Sequence, residues 1–157
     1  MEKIVTTRFN NKTIEQNRNY RNNANISGCI YGVPVQIKSS IPEDCQLYVI
    51  EMNNDLNKIE GLGLIKNKTF WDKNYRIYED MDYNRYIYRG NVHIPVSKIK
   101  SKYYKKVIHV LEQLLFKGER HCKRASGITE LQQWIINNKY DFDFVKCFQK
   151  LFEKYGK

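Results

Sequence analysis

Leu47-Tyr48-Val49-Ile50-Glu51-Met52 is apolar at five of its six positions, on both of the faces that alternate along an extended chain. A strand with two apolar faces has to be covered on both sides, so this stretch predicts a central strand. Pro42, Glu43 and Asp44 supply a turn before it. Asn53-Asn54-Asp55 supplies a hairpin loop after it, leading into Lys58-Ile59-Glu60-Gly61-Leu62-Gly63-Leu64-Ile65. Gly61 and Gly63 share one face of that second strand; the missing side chains permit close approach by another backbone or a flat ligand, and also suit sheet curvature. Upstream, Tyr31, Val33, Val35 and Ile37 fall on one face at period two, and Pro34 places their strand at an edge or bulge. Downstream, Trp71 to Ile94 reads as one or two aromatic strands around a polar turn at Glu79 to Asn84.

After Pro95 the hydrophobic period changes from two to about 3.6. Tyr104, Val107, Ile108, Leu111, Leu114 and Leu115 form one stripe, with Ser101 as N-cap and Gly118 as the stop. Thr129-Glu130-Leu131-Gln132 has capping-box spacing and predicts a short second helix through Leu131, Trp134 and Ile135. Asp141 is placed to cap a third, burying Phe144, Val145, Phe148, Leu151, Phe152 and Tyr155. Strands followed by helices define an α+β fold: five to six strands over residues 28–95, then helices over 101–117, 130–138 and 142–155. Residues 1–25 hold seven asparagines and few large apolar groups after Phe9, so they are expected to form an irregular basic arm carrying Arg8, Lys12, Arg18 and Arg21. Residues 26–157 then form the single domain, a size suited to one hydrophobic core.

The 27 Lys and Arg against 17 Asp and Glu give a formal charge of +10, and the excess is local. Lys98 to Arg124 holds nine basic and two acidic residues, or +7. A patch of that kind attracts phosphate backbones by counterion release, and also anionic lipid. Its densest part, Lys117 to Thr129, carries Lys117, Arg120, Lys123 and Arg124 together with His121 at a break between helices. Such a loop, with a helix N-terminus expected at Thr129, is suited to an anion.

Aromatics interleaved with cations add a second element: Trp71, Tyr86 and Tyr88 can stack on bases while Arg85 and Arg89 hold phosphates. No nucleophile elbow, glycine-rich phosphate loop or deaminase signature is present. Glu51, Glu60 and His93 are the only candidates for acid and base chemistry, and they require convergence in one pocket. Cys29, Cys45, Cys122 and Cys147 are widely spaced, without a C-x-x-C pair, so neither a metal nor any other cofactor is expected and the thiols are read as free. The N-terminus lacks the apolar core of a signal peptide, and no apolar run approaches a membrane span.

Several blocks of the chain resemble an uncharacterised protein family of large nucleocytoplasmic DNA viruses. They are Ile30-Tyr31-Gly32 into Pro34, Leu47 through Asn54, Asn57 through Asn67, Tyr83-Asn84-Arg85-Tyr86-Ile87-Tyr88-Arg89-Gly90, and Leu115 through Thr129. The resemblance spans residues 28–130 and implies a viral protein working in the host cytoplasm, virus factory or virion. The order of strands also resembles the small PUA-like barrels, including EVE and YTH domains, which implies a mixed or antiparallel barrel binding RNA or a modified base. The expectation is therefore a non-enzymatic nucleic-acid-binding protein acting through Arg120, His121, Lys123, Arg124, Arg85, Arg89, Trp71, Tyr86 and Tyr88. The alternatives are an interaction or virion component with an acidic protein partner, and an enzyme acting on a nucleotide or nucleic acid.

Overall fold

The structure, a computed structural model, describes all residues from Met1 to Lys157. The Leu47–Met52 stretch lies within β3 (Gln46–Asn53), the middle strand of a five-stranded sheet. On one side β3 pairs antiparallel with β4 (Lys58–Lys66), across the expected Asn53–Asp55 loop. On the other it pairs in parallel with β1 (Glu2–Phe9), from Glu2 opposite Gln46 to Phe9 opposite Asn53. A second sheet of two strands joins β2 (Cys29–Val33) to β5 (Tyr86–Gly90). Beyond β4 the large sheet ends at β6 (Val92–Pro95), and beyond β1 at β7 (Thr129–Glu130).

The apolar pattern of β3 is satisfied by a layer on each face. Tyr48, Ile50 and Met52 join Ile4, Leu62 and Ile94 in a core covered by α2 (Lys102–Phe116) and α4 (Phe144–Tyr155). Leu47 and Val49 join Val5 and Phe9 in a second core covered by the two-stranded ribbon and α1 (Asn11–Asn23). Parallel neighbours need a crossover, and here the chain makes it through α1 and β2 on the ribbon side. Gly61 and Gly63 serve the close-approach role: a Cβ on Gly63 would collide with the Tyr31 hydroxyl of the ribbon, and one on Gly61 would meet Glu51 Oε1 at 2.8 Å.

Two helices follow the sequence closely. Ser101 caps α2 by accepting from the Tyr104 amide at 3.4 Å, and Val107, Ile108, Leu111 and Leu115 are buried from its stripe. α4 begins two residues later than expected and is capped by Asp143, not Asp141, which sits in a positive-φ turn at 52°.

Four expectations are corrected. Residues 1–25 are not an irregular arm: β1 is an interior strand, and α1 carries a capping box in which Asn10 accepts from the Thr13 amide and Thr13 Oγ1 from the Asn10 amide. The β-branched run Ile4-Val5-Thr6-Thr7 overrides the asparagine-rich composition, because its two faces are buried in both cores. The sheet is not closed into a barrel, because β1 inserts beside β3 and β2 leaves for a separate ribbon, so β6 and β7 remain as edges. Thr129 and Glu130 do not start a helix; they pair with Thr6 and Val5 of β1, and the helix shrinks to the single turn α3 (Gln133–Ile136). Val35 falls outside β2, which stops before Pro34, and its side chain is exposed.

A candidate nucleic-acid interface

The basic loop after α2 is held in shape by a residue of β1. Arg8 donates five hydrogen bonds to oxygen: to Thr6 Oγ1 (3.0 Å), Cys122 O (3.1 Å), Thr6 O (3.1 Å), Gly127 O (2.7 Å) and Thr129 Oγ1 (3.0 Å). One planar guanidinium thus clasps both ends of the Cys122–Gly127 segment to the sheet, a task suited to its fixed fork of donors. Burial pushes the Arg8 pKa down to about 10, which leaves it charged at neutral pH. Burial also raises the Cys122 thiol against the opposing pull of Arg8. From the β3–β4 hairpin, Asn54 Nδ2 donates to Lys123 O at 2.8 Å. Gly127 takes φ +78°, where a side chain would be strained and would press on Val35 Cγ2 at 2.8 Å.

Held this way, the loop forms one wall of a cleft of about 450 Å³ at the end of β1 and β2. Arg124, Ser126, Asn10, Thr13 and Pro34 line it, with the 41% exposed ring of Tyr83 on the ribbon side. Lys117, Arg120, Lys123 and Arg124 take part in no ion pair. Arg124 also lines a smaller neighbouring cleft of about 290 Å³ with His121, where Glu130 is held by Lys3 and Lys38, each at 2.9 Å. His121 Nδ1 accepts from the Lys123 amide at 3.2 Å, which fixes the ring within the loop.

The ribbon end that carries Tyr86 adjoins this loop: Tyr86 pairs with Val33, whose Cβ lies 3.9 Å from where a Gly127 Cβ would stand. There Trp71, 68% exposed, meets half-buried Tyr86 edge to face at 6.0 Å between centroids. Arg85 is exposed beside them in an i,i+3 pair with Asp82 at 3.2 Å, a surface contact weak enough to exchange for phosphate.

Three expected residues stand apart. Tyr88 is 2% exposed, and its hydroxyl accepts from the Ile37 amide at 3.0 Å, so it presents no face to a base. Arg89 is half-buried and turned to the segment between β4 and β5, donating to the Tyr75 hydroxyl at 3.3 Å and lying over Phe70 at 5.7 Å. Arg120 leaves the cleft altogether and lies over the Trp134 ring at 5.0 Å, on the helical side of the molecule.

Glu51 and His93 do converge, while Glu60 turns away to Arg18 at 2.9 Å. Tyr31 donates to Glu51 Oε2 at 2.6 Å, and His93 Nε2 lies 3.0 Å from the same oxygen. On its other side His93 Nδ1 is 3.1 Å from Arg21 Nη1, which can only donate. Nδ1 therefore accepts, and Nε2 carries the proton given to Glu51. Arg21 continues to Asn17, and Asn17 to Tyr78 and to Ile30 O, so the chain ties α1 to the ribbon and to β3 and β6. Burial works to raise the Glu51 pKa, but the hydrogen bonds from His93 and Tyr31 and the charge of Arg21 outweigh it and hold the carboxyl below the usual range. Glu51 is 3% exposed and lines neither of these clefts.

Arg8, Asn54 and Tyr83 were missed by sequence reasoning. The strand-like Ile4–Thr7 run was the available signal for Arg8, since it places β1 in the sheet; nothing local marked Asn54 as a loop anchor. The fold and clefts together define an α+β protein with a mixed five-stranded sheet, a two-stranded ribbon and a basic, aromatic-edged surface. No family model, curated protein or solved structure matches the chain. No helix is long and apolar enough to cross a membrane.

Proposed function

We propose that this protein binds single-stranded nucleic acid, RNA in the first instance, across the cleft between the Cys122–Gly127 loop and the ribbon end. The observation that carries the proposal is the position of Lys123 and Arg124: cations free of ion pairs, on a loop clasped by Arg8, beside a cleft edged by the exposed Tyr83 ring. Cations on a preset loop supply phosphate affinity without an ordering cost at binding, and an accessible ring supplies a stacking face that tolerates any base. Trp71, Tyr86 and Arg85 extend the same surface along the ribbon. The resemblance to a family of large DNA viruses bears on source and not on ligand, and it supports the host cytoplasm, virus factory or virion as the place of action.

The test is a fluorescence-anisotropy panel of single- and double-stranded RNA and DNA oligonucleotides over a range of salt. Affinity should fall with salt for single strands, with a log–log slope of about 0.7 per neutralised phosphate. Lys123→Ala with Arg124→Ala should lower that slope by one to two such steps while the thermal midpoint holds. Absence of binding to all four oligonucleotides, or a slope unmoved by the double substitution, would remove the loop from the interface.

A further inference from the structure

On the opposite side of the sheet, α2 and the α3–α4 segment leave a groove of about 870 Å³. Its floor is apolar, with Val107, Leu114, Ile135 and Phe144 among the lining residues, and Trp134 and exposed Val110 along its sides. Lys106, Arg120 and Lys139 are its charged lining residues, and no carboxylate lines it. Arg120 lies over Trp134 at 5.0 Å and Lys139 over Tyr140 at 5.2 Å, so two of the three cations sit on aromatic rims rather than in ion pairs.

We infer that this groove docks an acidic amphipathic helix of a partner protein. Charge complementarity sets the sign: three cations around an apolar floor without a carboxylate suit apolar anchors flanked by Asp or Glu. The walls set the conformation. They are helices and a turn, with no strand edge to pair an extended peptide, so an extended occupant would bury unpaired amides and carbonyls, whereas a helix satisfies its own. This surface is independent of the cleft proposed for nucleic acid, which lies beyond the sheet at the ends of β1 and β2.

The experiment uses three stapled helical peptides of about 16 residues with one Leu and Phe stripe and with Glu, Gln or Lys on the polar face. They are titrated into Trp71→Phe protein, in which Trp134 is the one remaining tryptophan. The Glu peptide should shift Trp134 emission to the blue and bind about tenfold more tightly than the Gln peptide, with the Lys peptide weakest. Joint reversal of Lys106, Arg120 and Lys139 to Glu should invert that order. Val110→Asp, at a position already 41% exposed, should abolish binding of all three peptides and leave thermal stability and oligonucleotide binding unchanged. The inference is overturned if no peptide binds, if the order survives charge reversal, or if Val110→Asp has no effect. It is equally overturned if oligonucleotides alone shift Trp134, or if sedimentation shows a dimer that Val110→Asp dissolves, since the occupant would then be nucleic acid or a second copy.

Discussion

Replacing Arg8 by methionine separates holding the loop from touching the ligand. Methionine fills similar space but donates nothing, so Cys122 O and Gly127 O lose the guanidinium. Thr6 and Thr129 keep each other as partners, their hydroxyls being 3.2 Å apart. Each of these part-buried carbonyls left without a donor costs up to about 1–3 kcal/mol. Part of this is offset because Arg8 Nε is itself buried without a partner in the native protein. The net loss is about 3 kcal/mol, or a fall of roughly 10 °C in the melting midpoint for a chain of this size. Urea titration measures the first quantity, and amide exchange locates it: Lys123 to Gly127 should exchange faster while β3 and β4 stay protected. Oligonucleotide affinity should drop at least about tenfold, because reordering a single freed loop residue already costs about 1–2 kcal/mol. The salt slope should not change, because the Arg8 guanidinium, although it lines the cleft, directs its donors at protein oxygens. A slope reduced by one phosphate step would place Arg8 on the ligand, and unaltered exchange in the loop would show that the clasp does not hold it; either result refutes the reasoning.

Further expectations follow from particular contacts. Tyr83→Ala should weaken single-strand binding by about 1–3 kcal/mol with little change in stability, whereas Tyr88→Phe should leave binding intact and cost about 1 kcal/mol of stability by depriving the Ile37 amide of its acceptor, both read by anisotropy and urea titration. Gly63→Ala should destabilise by about 1–3 kcal/mol, because its methyl group displaces the Tyr31 hydroxyl from Glu51, and Tyr31→Phe in the same chain should recover part of the loss. Glu51 has a lower pKa folded than unfolded, so the unfolded chain takes up the proton first as pH falls. Its contribution is fully present above the unfolded value of about 4.3 and is lost as pH drops through the folded one. Glu51→Gln should therefore be less stable at pH 7 and show a shallower acid limb in stability against pH; an unchanged acid limb would dissociate Glu51 from the acid transition.

Local patterns were legible where periodicity and burial agree. The stripe from Val107 to Leu115 announced α2 because one helix face meets one core, and Leu47–Met52 announced β3 because both strand faces do. Composition misled where a short strand hid in a polar segment: α1 buries only Ile14 and Asn17, so asparagine content outweighed the Ile4–Thr7 run beside it. The capping-box spacing at Thr129 misled for a different reason, because pairing with the β1 edge competed successfully with a helix start. Among the expected site residues, Arg124, Arg85 and Trp71 are exposed and Tyr86 is half-buried, whereas Tyr88 is buried and Arg89 is engaged with Tyr75 and Phe70, because strand alternation says which residues share a face and not what packs over each position.

By itself the sequence determined an α+β chain with its positive charge concentrated around one loop, since charge and periodicity are properties of neighbours along the backbone. Only the tertiary structure decided that β1 is an interior strand beside β3, that Arg8 holds the loop from the strand before α1, and that Arg120 belongs with Trp134 across the molecule from Arg124. Those facts depend on contacts between segments well separated along the chain, from Arg120 with Trp134 to Arg8 with Gly127, and such contacts are set by which surfaces can be buried together, information that no local window of the chain contains.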